Sequence, residues 1–277
     1  MDTYTAPRPA GTVRQPAGGA LAHAREVASS EWCKLRSVRS SWWALAAAAV
    51  FNIVTAAVLG IVLPRVLSAR QQAAEADPVR LSLGGLHLSQ VAIGVLGVLV
   101  ITSEYGSGMI RASLAAVPAR RLMLAAKTAV FATAALAAGL VTCFGAYLIF
   151  QAFLPAGDAM RTSLGDPGVA RAVTGAGLYL TVLGLLGLGL GAVLRSGAGA
   201  ISALFGVLFV PPLIMTLLPA TWQDTVGRYL PMNAAESVYI VHRQAHSLAP
   251  WAGFGVFSAY AAAALVAAFI LIARRDA

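Results

Sequence analysis

The sequence predicts an all-α integral membrane protein with six transmembrane helices. Of its 277 residues, 58% are hydrophobic and 11% are charged, whereas soluble domains have about 25% charged residues. Six segments carry no Asp, Glu, Lys or Arg, and each is at least 23 residues long: 40–64, 81–103, 128–157, 172–194, 196–223 and 244–273. Because a spanning helix needs about 20 apolar residues, each segment is long enough to cross a bilayer once.

The basic residues predict which side of the membrane each loop faces. With six spans, both termini share a side, and that side holds 13 Lys and Arg against 5 acidic residues. The opposite side holds 7 basic and 6 acidic residues. The positive-inside rule therefore places both termini in the cytoplasm. Most basic residues are arginine, which with abundant Ala and Gly is typical of GC-rich bacterial genomes, so we expect a bacterial cytoplasmic membrane. The basic residues are spread among loops beside spans, which disfavours nucleic-acid binding.

The chain divides into a short tail and one membrane domain. Residues 1–22 are rich in Pro and Gly with few large apolar side chains, which predicts a disordered cytoplasmic tail. Residues 23–277 then form the six-span domain. The predicted spans are approximately 41–63, 83–103, 128–153, 172–194, 198–218 and 250–273.

The segment before the first span is predicted to form a helix. Over residues 27–39, Ala28, Trp32, Leu35 and Val38 share one broad helical face, although Glu31 falls on the same face. This pattern favours an interfacial helix on the inner leaflet, in contact with membrane lipid and with its tryptophan at headgroup depth. A basic lead-in that only fixes topology is the alternative.

The fourth and fifth spans contain residues with predicted effects on helix packing and shape. The fourth is rich in glycine and includes Gly187 and Gly191 in a G-x-x-x-G pattern, which predicts close helix packing. A broken or flexible translocation helix is the alternative. Pro211 and Pro212 predict a kink or break in the fifth span. The segment from Pro219 to the sixth span is predicted to be a structured outer cap with helices broken at Pro231.

The motifs of several enzyme classes are missing from the sequence. No G-x-x-x-x-G-K-[ST] motif occurs, so we expect this chain not to hydrolyse nucleotides itself. The sixth span has Ser258 but no His, so a serine protease dyad within the membrane is not indicated. Neither Cys33 nor Cys143 has metal-ligand spacing, and His87 has no partner at helical spacing. We expect no catalytic, cofactor-binding or metal-binding residues, and any transport must be driven by energy from another protein.

The connection between the second and third spans is longer and more structured than topology requires. Ile110, Leu114 and Val117 occupy one face of a two-turn helix, with Arg111 pointing away. Glycines precede this segment and Pro118 ends it. The basic residues that follow are predicted to hold the start of the third span at the inner headgroups: Arg120, Arg121 and Lys127. A short helix between hinges suits docking of a soluble partner, and a basic loop that only sets topology is the alternative.

Four segments resemble the permease subunits of ATP-binding-cassette (ABC) transporters of the type-2 exporter class, especially actinobacterial ones. The longest is E-Y-x-x-G-x-I-R-x-S-L-x-x-x-P-x-R-x-x-x-L-x-A-K, from Glu104 to Lys127. The others are S-E-W-x-K-L-R-S-V-R-S-x-W-W (30–43), L-R-S-x-A-G-A-I (194–201) and Y-L-P-M-N-A (229–234). The resemblance covers residues 30 to 277.

The resemblance implies a permease subunit of an exporter that dimerises, as a homodimer or heterodimer, and binds a separate ATPase subunit that carries ATP and Mg. Residues 105–117 would be the coupling helix and residues 27–39 the elbow helix. The implied coupling residues are Tyr105, Met109, Ile110, Arg111, Leu114 and Val117, and those of the interfacial helix are Trp32, Leu35 and Val38. Glu104 is expected to pair with Arg111 or with an arginine of the entry helix.

Two other functions remain open at this point. A membrane-bound immunity or regulatory protein of the same architecture would dock a partner without transporting anything. An intramembrane enzyme is disfavoured by the missing dyad. An adjacent gene for an ATPase with Walker motifs would favour the exporter.

Overall fold

A computed structural model describes residues 20–37, 39–67, 77–109, 120–242 and 247–274. The elements in these ranges are helical, with no strand among them. The α-helices are α1 (Ala20–Ser37), α2 (Arg39–Val66), α3 (Pro78–Ser82), α4 (Leu86–Gly106), α5 (Arg120–Phe153), α6 (Val169–Leu194), α7 (Gly197–Met215), α8 (Ala220–Thr225), α9 (Pro231–Tyr239) and α10 (Pro250–Arg274).

Six of the described helices are long and apolar enough to cross a membrane: α2, α4, α5, α6, α7 and α10. This confirms the predicted number of spans and indicates a multi-pass membrane protein. The bounds agree to within a few residues except at α5, which begins at Arg120, eight residues before the predicted start. Helix α7 ends at Met215, three residues before the predicted end. We call the end of the bundle that holds Gly106 and the turn at 195–196 the inner end, following the predicted topology.

Helix α6 lies at the centre of the bundle and packs against α4, α5, α7, α9 and α10. Its glycines allow this, because helix backbones approach where there is no side chain. A Cβ atom on Gly187 would lie 2.5 Å from the carbonyl oxygen of Gly94, and one on Gly97 would lie 2.1 Å from that of Gly184. The helix is unbroken from Val169 to Leu194. The packing interpretation of the glycine pattern is therefore confirmed, and the broken-helix alternative is wrong.

Two other helices differ from expectation in detail. Helix α7 continues through Pro211 and Pro212 to Met215, so the predicted break does not occur at the prolines. Helix α1 begins at Ala20, inside the predicted tail, and residues 1–19 lie outside the described ranges.

The outer end of the bundle is held together by polar contacts of short segments. One carboxylate oxygen of Asp77 caps α3 by accepting hydrogen bonds from the backbone N–H groups of Val79 and Arg80, both at 3.1 Å. Its other oxygen accepts from the N–H of Val241 at 2.6 Å. The guanidinium of Arg171 donates to the carbonyls of Val238 and Ile240. Helix α9 is thereby fixed to α3 and α6, which confirms a structured cap before the last span.

The predicted topology can be tested with single cysteines at opposite ends of α6. Ala156 is exposed in the connection before α6, and Ala198 is exposed in the first turn of α7, just after the turn that follows α6. Helix α6 has 26 residues and is about 39 Å long. With Cys33 and Cys143 replaced by Ser and Ala, we expect Ala156→Cys to react with an impermeant maleimide in intact cells. Ala198→Cys should react only after the cells are opened. If Ala198→Cys reacts in intact cells and Ala156→Cys does not, the topology is the reverse of the predicted one.

Candidate functional site

Four charged side chains meet at the inner end of the bundle, where α1, α4 and α5 converge. The ammonium Nζ of Lys127 lies 2.5 Å from Oε2 of Glu31 and 2.8 Å from Oε1 of Glu104. Nζ of Lys34 lies 2.7 Å from Oε1 of Glu31 and 3.4 Å from Oε1 of Glu104. We call Glu31, Lys34, Glu104 and Lys127 the charge cluster. It joins one helix before the first span to the ends of two spans.

Most of the charge cluster is removed from solvent. The side chains of Glu31, Glu104 and Lys127 are 3%, 4% and 4% exposed, and that of Lys34 is 33% exposed. Partial burial opposes the charge of Lys34, but its contacts with Glu31 and Glu104 outweigh this, so the pKa of Lys34 is raised above its ordinary value. Buried charges are stable only when paired and hydrogen-bonded. Lys34 and Lys127 together balance the charges of Glu31 and Glu104, so the charge cluster is neutral overall.

One acceptor of the charge cluster is unsatisfied. Oε2 of Glu104 is buried, and no donor of the described residues lies within hydrogen-bond distance of it. A buried carboxylate oxygen without a donor costs free energy, about 1–3 kcal/mol or more for a charged group. This oxygen is therefore a candidate contact for a bound molecule.

An apolar cavity of about 500 Å³ lies beside the charge cluster, between α1, α4 and α5. All four cluster residues line one part of it. Most of the remaining wall is apolar and includes Leu35, Val91, Val95, Leu99, Val130 and Phe131. Leu99 and Met109 also line the cavity and are themselves exposed, so it is open on that side. The volume is in the range of small-molecule sites, about 300–1,000 Å³.

The cavity follows from how the glycines place α4. Helices α4 and α5 each pack closely along α6 but make few contacts with each other. On α4, Gly97 faces α6 and Gly94 faces both α6 and α7, so the glycines of α4 lie on the side of the helix that packs against these two helices. Val91, Val95 and Leu99 of α4 line the cavity, and residues of α1 line it at the inner end.

The described part of the chain contains only some of the predicted site residues. Tyr105 lies in the last turn of α4, with the guanidinium carbon of Arg195 at 5.3 Å from its ring centre. Met109 is 48% exposed just beyond α4. Trp32 is 42% exposed and Leu35 half-buried on α1. The other predicted residues lie outside the described ranges: Val38, Ile110, Arg111, Leu114 and Val117.

Helix α1 is confirmed as a helix, and the face that it buries against the bundle differs from the face predicted to contact lipid. Val27 and Glu31 are each 4% exposed, whereas Trp32 is on the exposed side. The reason is that α1 packs mainly against α5, and Glu31 must reach Lys127. Glu31, which interrupts the apolar face of α1 in the sequence, is thus the residue that fixes α1 to α5 through Lys127.

Two further expectations for charged residues are corrected. Lys127 does not extend to the inner headgroups, because its side chain is buried between Glu31 and Glu104. The partners of Glu104 among the described residues are Lys127 and Lys34, not an arginine of the entry helix, and the other expected partner, Arg111, lies outside the described ranges. The sequence predicts a contact between Glu104 and the entry helix, but not the part of Glu31 and Lys127 in it, because a charged residue beside an apolar segment is interpreted as the border of a span.

No protein-family model matches the chain, and no curated protein shows significant sequence similarity to it.

Proposed function

We propose that this chain is the membrane-spanning permease subunit of an ATP-driven ABC exporter of the type-2 class. In this proposal it forms the translocation path as one half of a dimer, in a bacterial cytoplasmic membrane. A separate ATPase subunit binds ATP and Mg and docks on the coupling segment, residues 105–117.

The observation that carries the proposal is the charge cluster. Glu104 and Lys127 are the first and last residues of the longest segment on which the family resemblance rests, and Glu31 and Lys34 belong to the second such segment. The two segments are distant in sequence, yet their charged residues are in direct contact. Ionisable residues buried beside membrane spans are rare and usually serve function.

The geometry suits transmission of movement from a docked partner. Glu104 and Lys127 flank residues 110–119 on both sides, and their ion pair holds the two flanks 2.8 Å apart at these atoms. Both are also tied to α1 through Glu31 and Lys34. A push on the connecting segment would therefore move α1, α4 and α5 together. In the proposed cycle, closure of the ATPase dimer supplies that push, and the spans rock between inward- and outward-facing states.

The docking contact is tested by changing the predicted helical face of the coupling segment. With Ile110→Asp and Leu114→Asp together, we expect the tagged chain to insert normally and to lose a co-purifying protein that has Walker motifs and hydrolyses ATP. The reason is that charged groups cannot fill an apolar docking pocket without desolvation. Co-purification followed by an ATPase assay measures this.

Leu164→Asp is the matched control, because Leu164 is 37% exposed on the outer loop between α5 and α6. This change should leave the ATPase bound. If the double variant retains the ATPase as well as the control does, the coupling segment is not the docking site. If the wild-type chain co-purifies with no such ATPase, the proposed function itself is wrong.

A further inference from the structure

The cavity beside the charge cluster has the features of a binding site, and the unsatisfied oxygen of Glu104 defines its polar end. Glu104 is 3% exposed, and its side chain lines the cavity. Oε1 of the same carboxylate is contacted by both lysines, whereas Oε2 has no donor among the described residues. A ligand that donates a hydrogen bond here would remove the cost of that buried, unpaired acceptor.

The distribution of charge favours a cation over a neutral donor. Both oxygens of Glu31 have a lysine within 2.7 Å. Within the described ranges, Glu104 has one short contact, to Lys127, and one long contact of 3.4 Å to Lys34. The negative charge of Glu104 is therefore less compensated than that of Glu31. Charge-assisted hydrogen bonds are roughly twice as strong as neutral ones.

The remainder of the cavity selects an apolar body. Along α4 it extends from Val91 to Glu104, which is about 20 Å of helix. Between these residues the wall consists of valine, alanine and leucine side chains, with Ser103 next to Glu104. An alkyl chain laid along this wall would have its apolar surface removed from water, which favours binding.

We propose that this cavity binds an amphipathic molecule whose head is a protonated primary amine, with an ammonium N–H donated to Oε2 of Glu104. The alkyl body lies between α4 and α5. Neither an anionic head such as a carboxylate nor a quaternary ammonium has an N–H to donate to Oε2 of Glu104. This binding is a property of the chain by itself and requires neither an ATPase nor transport.

The test is equilibrium binding of radiolabelled dodecylammonium to the full chain in an uncharged detergent, with empty micelles as background. We expect saturable binding at one site per chain. Dodecyltrimethylammonium, with the same chain and charge but no N–H, should compete about tenfold more weakly or worse, and dodecanoate should not compete. Equal competition by the trimethyl compound would overturn the assignment of Glu104 Oε2 as the acceptor.

Two variants separate loss of the site from loss of the fold. Glu104→Gln should weaken dodecylammonium binding about tenfold. Leu99→Trp should abolish it by filling the open side of the cavity, without touching the charge cluster and without lowering the melting midpoint. Leu88→Trp is the matched control, because Leu88 is 51% exposed on the same helix and does not line the cavity. Unchanged binding to folded Leu99→Trp would overturn the proposal, whatever the stability of Glu104→Gln.

Discussion

Replacing Lys127 by methionine is expected to destabilise the chain by about 3–5 kcal/mol, because it leaves two buried carboxylates without their shared cation. Nζ of Lys127 contacts both Glu31 and Glu104, and all three side chains are almost completely buried. Lys34 cannot replace it, since its contact with Glu104 is already long at 3.4 Å. We expect the midpoint of thermal unfolding in detergent to fall on the order of 10 °C.

Arg121→Met provides the matched control for this experiment. Arg121 lies six residues earlier on α5 and is exposed, so its removal should change stability by about 0.5 kcal/mol or less. The triple change Glu31→Gln, Glu104→Gln and Lys127→Met removes the buried charges together. It should recover much of the loss, because a buried pair costs most when only one partner is removed. If Lys127→Met and Arg121→Met have the same midpoint of thermal unfolding, the charge cluster does not stabilise the fold.

The six spans were predictable because the bilayer excludes charge over a fixed thickness. The same rule fails at span ends, where it treats every charged residue as a border. Lys127 was placed outside the third span for this reason, yet α5 begins at Arg120 and Lys127 is buried within it. A charge at a helix end can be neutralised by a residue distant in sequence. Its partner cannot be inferred from spacing along the chain.

Only part of the candidate site could be predicted from the sequence. The glycines of the fourth span indicated close packing, but not which helix lay opposite. The structure pairs them with Gly94 and Gly97 on α4, and that choice of neighbour separates α4 from α5 and creates the cavity. One signal was the expected pairing of Glu104 with the entry helix. The other was the misfit of Glu31 in the amphipathic pattern of α1, because an acid on an otherwise apolar face needs a buried cation.

The packing of α4 on α6 predicts a graded effect of three glycine-to-alanine changes. Gly97→Ala should have the largest, since its Cβ would lie 2.1 Å from the carbonyl oxygen of Gly184 and neither backbone can yield without separating two central helices. Overpacking typically costs about 1–3 kcal/mol, and a backbone-to-backbone clash belongs at or above the upper end. We expect a melting midpoint lowered on the order of 10 °C and less folded protein recovered.

Gly184→Ala should be milder, because its Cβ would meet the ring tip of Phe131 at 2.7 Å. Phe131 lines the cavity, so its ring has space to move. Gly206→Ala on α7 is the control: nothing lies within 4 Å of its Cβ position, so stability should be unchanged or slightly raised by the better helix propensity of alanine. Melting midpoints measured in one detergent should therefore rank Gly97→Ala lowest and Gly206→Ala highest. Equal midpoints for Gly97→Ala and Gly206→Ala would mean that α4 does not pack on α6 through these glycines, and the separation of α4 from α5 that forms the cavity would lose its cause.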